Sequence, residues 1–110
     1  MKKEHRVKKG SAIEMIMKAR KSTGNRFFVV YKKENHDNTH FRAAISVSKK
    51  YGNAVKRNKI KRQVREIVSK LDILPNYDIF IVIKNNANTL EFSDIKRDIE
   101  MLIKKQNIMR

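Results

Sequence analysis

Apolar residues recur at helical spacing in the middle of the chain and give its clearest pattern. They are Ile60, Val64, Ile67, Val68 and Leu71. At about 100° per residue these side chains share one side of an α-helix. A helix with such a stripe lies on a core and keeps its opposite side in water. We therefore expect an amphipathic helix that begins near Asn53 or Ala54, just after a loop at Gly52.

Shorter apolar patterns predict the strands. Residues 26–33 and 41–48 alternate as half-buried strands do. Residues 79–83 form an unbroken run of β-forming residues, which is typical of an interior strand covered on both faces. The polar residues 21–25 indicate a turn or the edge of a short strand. We interpret the polar segment 34–40 as a hairpin loop between the two alternating strands.

Two further helices are expected near the ends of the chain. Ser11 and Glu14 have the spacing of a capping box, which predicts a short helix over residues 11–19. Thr89 is expected to cap a last helix. The apolar positions of that helix are Phe92, Ile95, Ile99, Leu102 and Ile103. The order helix, strands, helix, strand, helix predicts an α/β or α+β fold around one small sheet.

Length and composition indicate a single domain. The 110 residues suffice for one core, and the hydrophobic share of 40% is too high for a disordered polycation. Residues 1–10 form a basic N-terminal arm whose Val7 we expect to lie against the body of the protein. We predict one domain over residues 1–110.

Positive charge dominates the chain and is concentrated on the central helix. The net charge is +16, and residues 49–66 contain eight Lys or Arg residues and one acid, Glu66. A helix face exposed only to water normally mixes acids with bases, because such pairs stabilise the helix. Cations clustered on one helix are instead typical of nucleic-acid binding. We interpret this helix as a nucleic-acid-binding surface.

A membrane surface is the competing polyanion. No stretch approaches the ~20 apolar residues of a membrane-spanning helix. The basic N-terminus is followed by no apolar run of the kind found in secretory signals. We therefore expect a cytoplasmic protein with no membrane partner.

The candidate catalytic chemistry is sparse. The chain has no cysteine and three glycines, and its acids are scattered. Metal-dependent nucleases usually gather several carboxylates around one or two ions. His36, Asp37 and His40 share a polar loop that would hold a metal only loosely. We expect a binding protein without catalytic or metal-ligating side chains of its own.

Specific motifs resemble a known family. The residues are Ser46-Val47-Ser48-Lys49-Lys50, Gly52-Asn53-Ala54-Val55, Arg57-Asn58, Lys61-Arg62 and Arg65-Glu66. Their order and spacing closely resemble the signature of the bacterial ribonuclease P protein subunit. Upstream, Arg6-Val7-Lys8-Lys9, Asn25-Arg26 and Phe28-Val29-Val30-Tyr31 are also similar to that family.

This resemblance implies a particular fold. It is an α+β fold like the second domain of ribosomal protein S5, with three helices and a small, mostly antiparallel sheet of about four strands. The basic helix would form a left-handed β-α-β crossover, which is the rarer hand.

The resemblance also implies a function. The family's protein joins a large catalytic RNA that removes the 5′ leader of precursor tRNA. The RNA and its Mg²⁺ ions would carry the hydrolysis, and no DNA partner is expected. A ribosomal or ribosome-associated structural protein is the alternative from a different class. A protein-only nuclease is the third hypothesis.

Two sets of site residues follow from the resemblance. The surface for the catalytic RNA would be formed by Lys49, Lys50, Arg57, Asn58, Lys61, Arg62 and Arg65. The single-stranded leader would lie in a cleft between the first helix and the sheet, formed by Ile13, Met17, Phe27 and Tyr31. Ile13 and Met17 stand where phenylalanine is usual in the family. Phe27 is expected on the same side of its strand as Tyr31, as a replacement stacking platform.

Overall fold

The computed structural model describes residues 5–7 and 10–110 of the chain, and this part folds into three α-helices and one sheet. The helices are α1 (Gly10–Lys18), α2 (Ala54–Ser69) and α3 (Phe92–Lys105), and the strands are β1 (Ser22–Gly24), β2 (Phe28–Glu34), β3 (Arg42–Val47) and β4 (Tyr77–Ile83). Short 3-10 helices cover Lys49–Tyr51 and Asn85–Thr89. The predicted α+β class is confirmed. Most of the predicted basic arm, residues 1–4, 8 and 9, lies outside the described residues.

The four strands have the order β1-β2-β4-β3. β4 pairs antiparallel with β2 and parallel with β3, so the sheet is mostly antiparallel. The predicted interior strand at residues 79–83 is therefore confirmed. The predicted hairpin across residues 34–40 is wrong, because β4 separates β2 from β3. A strand that is apolar on both faces needs layers on both sides, and α2 and α3 cover one face of β4 while α1 covers the other.

The crossover from β3 to β4 runs through α2. These two strands are parallel neighbours, so the connection must return across the sheet, and α2 does so. This is the expected β-α-β crossover through the basic helix.

The two faces of the sheet bury separate apolar clusters. The larger cluster joins one face to α2 and α3 and includes Phe28, Val30, Ile79, Ile81, Ile83, Ile60, Val64, Ile99 and Leu102. The smaller cluster lies on the other face and consists of Val7, Ile16, Ala44 and Phe80. Val7 is 6% exposed, which confirms that this part of the arm contacts the body. The α1 side of the sheet is thus the less covered one.

The helix ends correct two predictions. Residue 11 lies inside α1, which begins at Gly10, and so does not cap the helix.

Glu91, not Thr89, is the N-cap of α3. The Asp94 side chain accepts a hydrogen bond from the Glu91 backbone N–H. The Thr89 hydroxyl instead donates to the Asn86 carbonyl inside the preceding 3-10 helix. Phe92, expected on the buried stripe, is 46% exposed at the first position of α3.

A buried carboxylate connects the loop at residues 35–41 to the sheet. Asp78 on β4 accepts hydrogen bonds of 3.0 and 2.8 Å from the Arg42 guanidinium on β3. It also accepts from the side-chain amides of Asn38 at 2.7 Å and Asn35 at 3.2 Å. Burial raises the pKa of Asp78, but these hydrogen bonds and the Arg42 charge outweigh burial, so the pKa lies below its usual value.

We predict that Asp78→Asn lowers the free energy of unfolding at pH 7 by about 2–3 kcal/mol. This value is near the lower end of the free-energy cost of breaking a buried ion pair. The cost is reduced because the Arg42 side chain is 34% exposed and solvent screens its charge. Because the folded pKa is depressed, the stabilisation is present above the unfolded Asp pKa and lost as the pH falls through the folded pKa. Urea unfolding measures the free energy of unfolding of both proteins. The difference between wild type and Asp78→Asn should become smaller at acidic pH. The exposed Asp37→Asn is the matched control, and an equal effect of both variants would contradict the assignment.

Candidate nucleic-acid interface

The central helix is fixed in position by its cap and by its apolar stripe. The Asn53 side-chain oxygen accepts a hydrogen bond of 3.0 Å from the Lys56 backbone N–H, which confirms the predicted start of α2. Ile60, Val64, Ile67 and Val68 are buried against the sheet and α3. This packing sets the rotation of the helix about its own axis, so its cationic positions face away from the core.

The predicted RNA-binding residues are found on this outward side and just before it. Lys49, Lys50, Asn58 and Arg62 are exposed, whereas Arg57, Lys61 and Arg65 are partly buried. Lys49 and Lys50 lie on the 3-10 helix that precedes α2. The structure brings Asn58, Arg62 and Arg65 together around one surface depression.

Within residues 5–7 and 10–110, the cations of this surface have no acidic partner. In the described part of the chain, no Lys or Arg from residue 49 to residue 65 forms an ion pair. Glu66, the nearest acid in sequence, instead pairs with Lys70 at 3.4 Å. The charge of this face is therefore available to an external anion.

Arg6 joins the same surface, although motif reasoning did not include it among the site residues. It lines the depression beside Arg62 and Arg65. Partial burial lowers the pKa of Arg65, and the positive charge of Arg6 lowers that pKa further. The basic character of the arm was visible in the sequence. Its placement was not, because it depends on a single bridge between Arg6 and Ala43 of β3.

The less covered face of the sheet carries most of the predicted leader cleft. Tyr31 on β2 is partly buried, and its ring lies 5.9 Å from that of Phe80 on β4. Ile13 of α1 packs against the same small cluster, and Met17 is 43% exposed on that helix. An aromatic ring, an aliphatic side chain and an exposed thioether thus occur around one side of the sheet and α1.

Phe27 is placed differently from the prediction. It packs against the larger cluster rather than beside Tyr31, with the Arg26 guanidinium 5.7 Å from its ring centre. Phe27 precedes the first residue of β2, where strict strand alternation no longer applies. Its backbone N–H donates to the Asn25 side chain, which turns the chain at this point.

The two histidines of the loop at residues 35–41 contact other side chains of the protein. His36 lies 3.2 Å from Glu34, and His40 stacks on His5 with ring centres 3.6 Å apart. Among the described residues, no group of three or more His, Cys, Asp or Glu side chains is arranged to hold a metal ion. None of the helices in this part of the chain has the length and apolar character needed to cross a membrane.

The fold and the surface define a class: a small, basic α+β protein with an outward-facing helix whose cations form no ion pair within the described residues. Comparison with protein families gives a match to the ribonuclease P model over residues 1–107.

Curated relatives support the same family over the whole chain. The ribonuclease P protein component of Oceanobacillus iheyensis is 38% identical, with 100% of this chain and 93% of the relative covered. The ribonuclease P protein component of Macrococcus caseolyticus is 40% identical, with 94% of this chain and 91% of the relative covered.

Solved structures agree with these relatives. The RNase P protein of Staphylococcus aureus has a TM-score of 0.87 at 40% identity, with 96% of this chain and 98% of that chain covered. A mutant of the S. aureus protein, described as having defective mRNA degradation activity, gives a TM-score of 0.88 at 40% identity, with coverages of 97% and 92%. The Thermotoga maritima RNase P protein gives 0.81 at 29% identity, with coverages of 91% and 96%. The chain belongs to the ribonuclease P protein component family, which acts in tRNA processing.

Proposed function

We propose that this chain is the protein subunit of an RNA-based ribonuclease P, in which it binds the catalytic RNA through α2 and the 5′ leader of precursor tRNA beside α1. The observation that carries this proposal is the outward face of α2, whose cations have no acidic partner among the described residues. The proposal concerns a binding role for the protein, with Mg²⁺-dependent hydrolysis carried by the RNA.

Electrostatics favours an RNA partner for this helix. Its six Lys and Arg side chains repel one another, at a few tenths of a kcal/mol for each pair spaced by four residues. RNA backbone phosphates neutralise such a row and release bound counterions, which supplies a large share of the affinity in protein–nucleic acid contacts. A folded RNA that places phosphates along one helix face would match Arg57, Lys61, Arg62 and Arg65.

The α1 side of the sheet suits a single-stranded leader. A base stacked on an aromatic side chain gains about 1–3 kcal/mol without demanding a particular base. Tyr31 supplies a ring on this face, and Ile13 and Met17 supply apolar contacts from α1. These residues favour general leader contacts over recognition of a specific sequence.

Two carboxylates of the chain, Asp78 and Glu66, already contact other side chains. Asp78 is occupied by Arg42, Asn35 and Asn38, and Glu66 by Lys70. Hydrolysis of a phosphodiester by metal ions requires oxygen ligands grouped around those ions. We therefore assign the Mg²⁺ ions of the reaction mainly to the RNA partner.

Two other functions make different predictions. A ribosome-associated structural protein would have the same charge and size, and it would co-purify with ribosomal RNA rather than with a single RNA of the ribonuclease P type. A protein-only nuclease would cleave RNA without an RNA subunit, and a chelator would abolish that cleavage.

Arg62→Ala should weaken binding to the catalytic RNA. The slope of log K against log salt is negative, and loss of one phosphate contact should reduce its magnitude by about 1. Filter binding over a salt series measures both quantities. Arg97→Ala on α3 removes the same charge away from α2, at a residue that pairs with Asp94, and should leave the slope nearly unchanged. Equal slopes for wild type and Arg62→Ala would contradict the role of α2.

Tyr31→Ala should reduce affinity for precursor tRNA by about 1–3 kcal/mol and leave mature tRNA binding almost unchanged. The reason is that mature tRNA has no leader to stack on the ring. Equilibrium binding of both tRNAs to the reconstituted holoenzyme measures the difference. Tyr31→Phe keeps the ring and should restore most of the affinity. An equal loss for both tRNAs would show that Tyr31 acts through packing against Phe80.

A further inference from the structure

Two histidines from distant parts of the chain stack face to face beside the edge strand β3. His5 and His40 have ring centres 3.6 Å apart and ring planes inclined by 10°. Both residues are partly buried. The His40 ring also stacks on Phe41, with 4.4 Å between ring centres, and Phe41 belongs to the larger apolar cluster. His5 is therefore held against a ring that is itself fixed to the core.

His5 is the first residue of a strap, defined as residues 5–7, that lies along β3. Arg6 forms a parallel bridge with Ala43, and the Val7 backbone N–H donates a hydrogen bond of 2.9 Å to the Ala43 carbonyl. The Val7 side chain is buried in the smaller apolar cluster. The ring stack, the backbone bridge and the Val7 side chain thus hold the strap. Of these three contacts, the ring stack is the one whose groups change charge near neutral pH.

The contact between His40 and Phe41 determines where acid adds a proton. The His40 Nδ1 atom lies 2.6 Å from the Phe41 carbonyl oxygen. A carbonyl oxygen only accepts, so Nδ1 carries the hydrogen of the neutral ring and the next proton is added at Nε2.

The stack tolerates one protonated ring better than two. A single imidazolium ring can stay stacked, because a cation is attracted to a neutral aromatic face. Protonation of both rings would place two positive charges close together. With screening as in water, two unit charges about 4 Å apart repel enough to weaken a contact about fivefold, and more where water is excluded.

The charged groups on the neighbouring elements are Arg6, Asp37, Arg42 and Asp78. Arg6 adds positive charge within the strap itself, and Asp37 is exposed in the loop. Arg42 is bound to the Asp78 carboxylate. Although burial raises it, the hydrogen bonds to Asp78 keep its pKa below the usual value, so this group stays charged where histidines titrate. In the part of the chain that the structure describes, no acid forms an ion pair with His40.

We propose that His5 and His40 form a proton-sensitive latch, which docks the N-terminal strap on β3 at neutral pH and releases it when both rings are protonated. The released strap binds more protons than the docked one. Docking therefore weakens as the pH falls through about 6.5, where an unperturbed histidine titrates. Release would move Arg6 away from the depression that it lines beside Arg62 and Arg65. The latch is a property of this chain and does not depend on the proposed function.

Amide hydrogen exchange of the full-length protein without RNA measures docking, because the Val7 N–H is bonded to Ala43. After correction for the intrinsic pH dependence of exchange, protection of the Val7 amide should be about fivefold lower at about pH 5 than at about pH 8. Ile81, a fully buried residue of β4, reports unfolding of the whole domain and should not share this change. Unchanged protection of Val7, or an equal loss at Ile81, would overturn the latch.

Ring variants separate protonation from folding. His40→Phe keeps a flat ring and cannot be protonated, so Val7 protection should stay high at both pH values. His5→Phe should do the same, and its position before α1 keeps the test available if His40→Phe fails to fold. His36→Phe is the matched control in the same loop, since His36 pairs with Glu34, and it should keep the full pH dependence. A pH dependence that persists in folded His5→Phe, or one that disappears in His36→Phe, would contradict the proposal.

Discussion

The packing of α2 against the sheet and α3 determines what the rest of the molecule can present. Four buried apolar side chains hold this helix, at roughly 1.5–3 kcal/mol for each fully buried one. Repulsion among its six cations amounts to a few tenths of a kcal/mol per pair, so burial is the larger effect. The helix therefore keeps its orientation, and its cations, which have no acidic partner among the described residues, face away from the core.

The order of the strands connects this surface to the rest of the fold. Because β4 lies between β2 and β3, α2 crosses one face of the sheet, and the other face is left to α1. Residues 5–7 follow the edge of β3 and contact both sides, with Arg6 beside α2 and Val7 in the cluster under α1. The two proposed RNA contacts are thus built on the same strands. The hydrogen bonds of Asp78 to Asn35, Asn38 and Arg42 hold the loop at residues 35–41 against β3 and β4.

The sequence predicted those features that depend on strong local patterns. The 3.6-residue apolar period and the loop at Gly52 located α2, and the unbroken run at residues 79–83 identified the interior strand. The hairpin at residues 34–40 was predicted wrongly, because nothing local in that loop records that β4 lies between β2 and β3. The α3 cap was misplaced because Thr89 is of a residue type preferred at an N-cap and Glu91 is not. Thr89 instead ends the 3-10 helix that precedes α3. Phe27 was misplaced because a turn at Asn25, rather than strand alternation, sets its position. Arg6 was overlooked because a single bridge to Ala43, rather than a periodic pattern, sets its position.

The most direct test of the central claim is a lysine footprint of the complex with the catalytic RNA. Acylation of surface lysines, read by mass spectrometry with and without the RNA, reports which face of the protein is covered. We expect protection of Lys49, Lys50 and Lys61, and unchanged reactivity of Lys96, Lys104 and Lys105 on α3. Protection of the α3 lysines with free reactivity along α2 would contradict the account.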